Sequence, residues 1–198
     1  DDTIFEDGEL IITVSGSDAD IDDVITFSAS ADGNGSVSVD GADVTLAPDA
    51  DYNGNITVAV TATDAAGETG ETSFVVSVLP VNDAPVADAI DDQSTDEDEA
   101  FTLELSASDV DGDLLSFSAS VDGNGLASVD GGTLTIVPNL DYSGSIQVTV
   151  VASDGVLSAS EEFTLEVINL NDAPVVNQIA DDTIFEDGEL IITVSGSD

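Results

Sequence analysis

The chain of 198 residues contains no lysine, arginine, histidine, cysteine, methionine or tryptophan. Only carboxylates, serine, threonine and tyrosine remain as catalytic side chains, so we predict that the protein is not an enzyme. Phosphate binding requires cationic side chains, and a net charge of −43 repels polyanions. We therefore expect no nucleic-acid partner. The same charge opposes binding to an anionic membrane surface.

The lack of cysteine also removes disulfide bonds, which extracellular domains often use as cross-links, and bound metal is the natural replacement. No apolar run approaches the roughly 20 residues that cross a membrane, so no membrane insertion is expected within this segment. Hydrophobic residues nevertheless make up 41% of the chain. This share favours packed cores over a disordered acidic tail.

Internal repeats determine the predicted domain organisation. The motif NDAPV occurs at Asn82–Val86 and again at Asn171–Val175, and residues 181–198 repeat residues 1–18 letter for letter. A strand or two cannot bury a core alone, so we expect the chain to be an excerpt from a longer tandem array. The predicted domains are residues 1–82 (repeat A, its first strand missing), residues 83–171 (repeat B) and residues 172–198 (the start of a further repeat A).

Apolar residues alternate with polar ones in short runs bounded by Gly, Asn, Asp and Pro, which predicts an all-β protein. Seven strands in about 90 residues favour a β-sandwich for each repeat. The strands predicted in repeat B are Val86–Ile90, Ala100–Ala107, Leu114–Ser120, Leu126–Val129, Thr133–Val137, Ser145–Ser153 and Ser160–Ile168. The aromatic residues predicted to lie in the cores are Phe27, Tyr52, Phe74, Phe101, Phe117, Tyr142 and Phe163.

Aspartates alternate at two matched positions, Asp18, Asp20 and Asp22 in repeat A and Asp109, Asp111 and Asp113 in repeat B. Carboxylates about 4 Å apart repel by roughly 4 kcal/mol at an effective dielectric near 20, and the chain supplies no cationic side chain to neutralise them. Calcium binds six to eight oxygen ligands and fits such clusters better than Mg²⁺, which prefers a tight octahedron. The alternative is that these residues are solvated turn aspartates that promote solubility.

The motifs NDAPV, FED or DED, SDADID or SDVDGD, and TATD or VASDG together resemble the bacterial cadherin-like tandem repeats of giant extracellular adhesins and fibres. This resemblance implies seven-stranded Greek-key, cadherin/immunoglobulin-like sandwiches in an elongated array, with calcium at the junctions between domains. The linkers depart from the cadherin pattern, so we expect fewer ions per junction than in cadherins.

The resemblance also implies the metal ligands. At the first junction they are Glu6, Asn82, Asp83, Asp109, Asp111 and Asp154, with Asp113 completing the aspartate alternation. At the second junction they are Glu97, Asn171, Asp172 and Asp198. Ligands that would face a preceding or a following repeat are Asp18, Asp20, Asp64 and Glu186. Asp51 and Asp141 resemble the aspartate of a further cadherin ligand motif, but the match is loose because Tyr follows each.

The function that follows is a non-enzymatic structural repeat of a secreted adhesin, biofilm component or fibre at the cell surface. Calcium ions at the junctions would make the array rigid, because an ion shared by two domains removes their freedom to pivot. Its partners would be calcium, adjacent repeats and other copies in a filament. Two alternatives remain: a glycan- or ligand-binding adhesion module, and a matrix filament subunit joined by strand exchange through the tail at Val175–Ser195.

Overall fold

The computed structural model describes residues 2–20 and 24–197. Contacts between Cα atoms divide the chain into two units. The first unit comprises Asp1–Asp83 with Val110–Gly112, and the second comprises Ala84–Asp109 with Asp113–Asp198. The elements described in both units are strands, as the alternating pattern predicted.

The first unit contains two sheets. Its strands are β1 (Asp2–Phe5), β2 (Leu10–Thr13), β3 (Thr26–Ala31), β4 (Gly35–Asp40), β5 (Asp43–Pro48), β6 (Gly54–Thr63) and β7 (Thr69–Leu79). One sheet has the order β1-β7-β6-β3 and the other the order β2-β5-β4. Strand β1 is parallel to β7, with Asp2 opposite Val76, and the other pairs are antiparallel.

The second unit repeats this arrangement. Its strands are β8 (Val86–Ala87), β9 (Gln93–Asp96), β10 (Phe101–Glu104), β11 (Ala107–Ser108), β12 (Ser116–Val121), β13 (Gly125–Asp130), β14 (Thr133–Pro138), β15 (Gly144–Ser153), β16 (Ser158–Ile168), β17 (Val175–Val176) and β18 (Gly196–Ser197). The two large sheets have the orders β12-β15-β16-β9 and β10-β14-β13, while β8 pairs with β11 and β17 with β18.

Each unit has its own core between its two sheets. In the first unit Val44 and Leu46 of β5 pack with Ile56 of β6 and Val76 of β7, which lie in the opposite sheet. The second unit repeats this core with Leu134, Ile136, Ile146, Val148, Phe163 and Leu165. Every second residue of β15 is buried, as expected for a strand with one face on a core. The aromatic residues predicted for the cores all belong to these clusters.

The turns between strands use residues that tolerate positive φ. Asn34 and Asn124, both at φ 60°, occupy the DGNG turns before β4 and β13. Gly54, at φ 141°, starts β6 beside Tyr52, whose hydroxyl donates a hydrogen bond to the Asn55 carbonyl at 3.0 Å. A Cβ atom on Gly54 would lie 2.7 Å from that hydroxyl, so only glycine fits there.

The structure differs from the sequence prediction in several segments. The predicted strand Val86–Ile90 is only Val86–Ala87, and the predicted strand Ala100–Ala107 is divided into β10 and β11. Strand β9 (Gln93–Asp96) was not predicted, because its residues QSTD carry no apolar alternation; it forms by pairing in parallel with β16. In the tail, strands are described only at Val175–Val176 and Gly196–Ser197 among the residues up to 197. The tail predicted to bear strands, Val175–Ser195, therefore contains only the short strand Val175–Val176.

Candidate functional site: repeated carboxylate clusters

Glu6 is a buried acidic side chain at the end of β1. Its N–H donates to the Leu79 carbonyl at 2.9 Å, and its Oε1 accepts a hydrogen bond from the Val81 N–H at 2.5 Å. The residue is only 2% exposed, and its Oε2 has no hydrogen-bond partner among the described residues. Burying a carboxylate oxygen without a partner is costly, so this atom is a candidate ligand for a cation.

Glu97 occupies the same position in the second unit. It is 4% exposed, and its N–H donates to the Ile168 carbonyl at 2.9 Å. Its Oε1 accepts from the Leu170 N–H at 2.5 Å and from the Asn169 side-chain amide at 3.0 Å. Both units therefore contain a buried glutamate directly after the first strand of their four-stranded sheet. In both, this glutamate accepts a hydrogen bond from the chain just after the last strand of that sheet.

Two further carboxylates lie beside Glu6 in the first unit. Oxygen atoms of Glu6, Asp83 and Asp111 lie within 4.8 Å of one another. The Asp83 N–H donates to Asp111 Oδ2 at 2.8 Å, and Asp83 Oδ2 is buried without a hydrogen-bond partner among the described residues. Three convergent carboxylates, two with buried oxygens that lack donors, form a set of ligands typical of a hard divalent cation.

A second group, Asp7, Asp51 and Asp83, extends this cluster through Asp83. Asp7 follows the buried Glu6, and Asp51 precedes Tyr52 in the turn before β6; their φ values are 61° and 57°. This left-handed conformation is tolerated by Asp better than by most residues, and both turns depend on it.

The same group occurs in the second unit as Asp98, Asp141 and Asp172, whose oxygen atoms also lie within 4.8 Å of one another. Asp98 and Asp141 have φ values of 62° and 55°, and the Asp141 N–H donates to Asp98 Oδ1 at 3.1 Å. Each unit thus brings three aspartates together. One aspartate follows the buried glutamate, one precedes a tyrosine, and one belongs to an NDAP motif.

The crowding of carboxylates in the first cluster affects the pKa of Asp83. Burial raises the pKa of Asp83, and the negative charges of Asp51, Asp7, Asp111 and Glu6 raise that pKa further. Both causes disfavour the ionised carboxylate, and a bound divalent cation would reverse the effect of the neighbouring charges.

Other predicted ligands stabilise the loops in which they occur. Asp64 Oδ1 accepts hydrogen bonds from the N–H groups of Ala66 and Glu68, and Asp154 Oδ1 accepts from those of Val156 and Leu157. Such bonds are typical of Asx turns, and a metal-binding role for these two aspartates stays a prediction.

The remaining predicted ligands make local contacts. Asp18 Oδ1 accepts from the Asp20 N–H at 2.8 Å, and Asp109 Oδ1 accepts from the Asp113 N–H at 3.4 Å. Oxygen atoms of the predicted ligands Asp109, Asp111 and Asp113 also lie within 4.8 Å of one another, so this group joins the first cluster through Asp111. The side-chain amides of Asn82 and Asn171 each donate to the carbonyl of the following aspartate, at 2.9 Å in both cases. Glu186 is exposed in the tail. Asp22 and Asp198 lie outside the described residues.

The sequence prediction left Asp7 and Asp98 out of the ligand set, and it gave Asp51 and Asp141 only a loose match to a cadherin ligand motif. The sequence does contain a repeat pattern for these four residues. Asp7 matches Asp98 after the glutamate, and Asp51 matches Asp141 in the DY pairs. What the sequence does not show is that the turns bring these two segments together.

The sequence model of the family described as Bacterial Ig domain, Big_9, matches residues 1–77 and 82–166. The chain belongs to the bacterial Ig domain family. This assignment agrees with the predicted tandem, cadherin-like organisation, since each match covers one repeat. No curated protein matches the chain.

Solved structures similar to this bacterial Ig domain chain include cadherin ectodomains. Human CDH23 EC21-23 has a TM-score of 0.55 at 17% identity, covering 98% of this chain and 80% of that one. The human Desmocollin-1 ectodomain has a TM-score of 0.51 at 17% identity, covering 91% of this chain and 42% of that one. At this identity the similarity shows the fold, and it confirms tandem all-β sandwiches.

An endo-fucoidan hydrolase from glycoside hydrolase family 107 has a TM-score of 0.36 at 18% identity, covering 84% of this chain and 27% of that one. So low a TM-score carries no argument about activity. The chain spans less than half of both the hydrolase and the Desmocollin-1 structure. Within the described residues, no helix has the length and apolar character to cross a membrane.

Proposed function

We propose that the chain is a non-enzymatic structural segment of an extracellular adhesin or fibre, in which calcium ions bound at the carboxylate clusters hold successive repeats together. The observation that carries this proposal is the pair of buried, unpartnered oxygens, Glu6 Oε2 and Asp83 Oδ2, in a cluster with Asp111. A chain without Lys, Arg or His has no side chain to neutralise them.

The residues that would hold an ion in the first unit are Glu6, Asp83 and Asp111, with Asp7 and Asp51 adjacent through Asp83. In the second unit Asp98, Asp141 and Asp172 would do so. Carboxylate oxygens of this kind suit calcium, which accepts variable geometry, better than Mg²⁺. Calcium supplies only positive charge and coordination here.

Asp111 gives the proposed ion its mechanical role. It belongs to the first unit together with Glu6 and Asp83, but the residues on either side of its segment Val110–Gly112 belong to the second. An ion that coordinates all three carboxylates would therefore tie this loop of the predicted repeat B to Glu6 of repeat A. Extracellular modules bind calcium at roughly 10⁻⁴ to 10⁻³ M, so the link would form outside the cell and be lost in the cytosol.

Small-angle X-ray scattering with calcium and with a chelator tests this function. We expect calcium to give a larger maximum dimension and a narrower distribution of conformations in the wild-type chain, because the repeats lose their freedom to pivot. Asp111→Asn should weaken that response, whereas the matched control Asp88→Asn, on an exposed residue outside the clusters, should retain it. Identical scattering profiles with and without calcium would contradict the proposal.

A further inference from the structure

A tyrosine follows the aspartate that each cluster takes from the turn before β6 or β15. In the first unit Tyr52 follows Asp51, and its hydroxyl donates a hydrogen bond to the Asn55 carbonyl at 3.0 Å. The Tyr52 N–H donates to the Asp49 carbonyl at 3.2 Å, and the Asp49 N–H donates to the Asn34 carbonyl at 2.9 Å. Hydrogen bonds therefore hold the turn on both sides of Asp51.

The tyrosine ring connects this turn to the core. Tyr52 is partly buried and packs against the core of the first unit, whereas Asp51 is exposed. The phenol thus places its apolar ring on the core and uses its polar atom to hold the backbone of the turn. Gly54 leaves room for the hydroxyl, because a Cβ atom there would lie 2.7 Å from the hydroxyl oxygen. The ring and Gly54 together determine where the hydroxyl lies.

The second unit repeats this arrangement with different side chains around it. The Tyr142 hydroxyl donates to the Ser145 carbonyl at 2.9 Å, and the Tyr142 N–H donates to the Asn139 carbonyl at 3.1 Å. Ser145 and Asn139 stand where the first unit has Asn55 and Asp49. Only backbone carbonyls are needed at these two positions, so their side chains can differ. The tyrosine and the aspartate before it are the same in both units.

The turn determines the direction of the Asp51 carboxylate. Asp51 has a φ of 57°, and one of its oxygens lies within 4.8 Å of oxygens of Asp7 and Asp83. A left-handed conformation is unfavourable for a residue with a Cβ atom, so a turn without restraint would return to negative φ. That change would turn the Cα–Cβ bond of Asp51 away from the other carboxylates. Repulsion between the three carboxylates favours the same change when no cation is bound.

We propose that Tyr52 and Tyr142 are positioning residues for the proposed calcium sites, because each hydroxyl holds the left-handed turn that presents Asp51 or Asp141 to the ion. This inference rests on the proposed function, since it concerns the same clusters. Each hydroxyl acts through the backbone, because it donates to a carbonyl group and not to a carboxylate. A turn that is already in the binding conformation loses less conformational freedom when calcium binds, so the affinity is higher.

Tyr52→Phe tests the proposal, because it removes the hydroxyl and keeps the ring on the core. In calcium titrations followed by backbone amide NMR, residues 7–8 and 51–54 report on the first unit, and residues 98–99 and 141–144 report on the second. Loss of a group that supports a ligand typically weakens metal affinity about 10–100-fold. We expect Tyr52→Phe to raise the calcium dissociation constant of the first unit at least about tenfold and to leave that of the second unchanged. Tyr142→Phe should do the reverse.

Hydrogen exchange in chelator tests the positioning without calcium. The amide of residue 52 should exchange about fivefold faster in Tyr52→Phe than in the wild type, a factor that corresponds to one hydrogen bond of ordinary strength. Phe74→Leu is the control for a general loss of stability, since Phe74 of β7 packs on the same core. This control should lower the melting temperature in chelator and leave the calcium affinity of the first unit unchanged.

The results distinguish this inference from the proposed function. A wild-type chain whose amide resonances do not respond to calcium would overturn both. Calcium binding by the wild type with equal affinity in Tyr52→Phe would overturn the positioning role alone, as would an equal loss of affinity in Tyr52→Phe and Phe74→Leu. Unchanged exchange of the amide of residue 52 in chelator would also contradict that role.

Discussion

Replacing Glu6 by glutamine should change stability in opposite directions with and without calcium. Glutamine keeps the Oε1 acceptor for the Val81 N–H, and its amide nitrogen replaces the buried Oε2 that lacks a partner. In chelator, Glu6→Gln should be at least as stable as the wild type, because a buried negative charge is removed and the new N–H groups face Asp83 and Asp111. In calcium the variant lacks one of the proposed ligands and should be less stable than the wild type.

The size of the loss in calcium follows from the cluster. An ion at 100 times its dissociation constant stabilises the folded state by about 2.7 kcal/mol. Glu6 supplies one of the carboxylates in its group. If its loss weakens calcium affinity tenfold, the free energy of unfolding in calcium falls by about 1.4 kcal/mol. For a domain of this size each kcal/mol shifts the melting temperature by roughly 4–8 °C. We therefore expect the first unit of the variant to melt roughly 6–11 °C lower than that of the wild type in calcium.

Differential scanning calorimetry is the suitable assay, because the chain has no tryptophan for fluorescence. Glu9→Gln is the matched control, since it removes the same charge from an exposed residue outside the clusters. The reasoning is refuted if Glu6→Gln and Glu9→Gln respond equally to calcium, or if Glu6→Gln is the less stable of the two in chelator.

Three other predictions concern the second cluster, pH and the core. Asp98→Asn should weaken calcium binding to the second unit about tenfold in isothermal titration calorimetry, with exposed Asp88→Asn as the control. Because the pKa of Asp83 is raised, the calcium-free chain should lose stability as the pH rises through that pKa, whereas calcium affinity should increase over the same range. Melting curves in chelator and in calcium at several pH values would show these opposite signs, and parallel trends would contradict them. Leu134→Ala should destabilise the second unit by about 2–5 kcal/mol in urea unfolding, against about 0.5 kcal/mol or less for Leu126→Ala, since the first leucine is 0% and the second 75% exposed.

Most of the fold could be predicted from the sequence, because the two-residue alternation of apolar side chains directly records which face of a strand lies on a core. The limits appear where a strand depends on its partner. Residues 2–5 and 182–185 have the same sequence, yet only the first segment is a strand, where it pairs with β7. Strand β9 shows the same dependence, since its polar residues acquire their conformation from β16.

The candidate site could be predicted in part. The NDAP aspartates and the buried glutamates were identified from repeated motifs, and the structure brings Glu6, Asp83 and Asp111 together. Asp7 was missed as a ligand and Asp51 was matched only loosely, because their approach depends on two turns with positive φ in separate parts of the chain. Such tertiary proximity leaves no periodic signal in the sequence.

The parallel pairing of β1 with β7, and of β9 with β16, determines how each repeat would respond to stretching. Tension applied along the chain pulls the first strand of a repeat one way and the last strand the other. Four facing residue pairs from Asp2 to Phe5 then resist sliding together, rather than opening one after another from an end. A molecule built from such repeats would yield to force abruptly, one domain at a time.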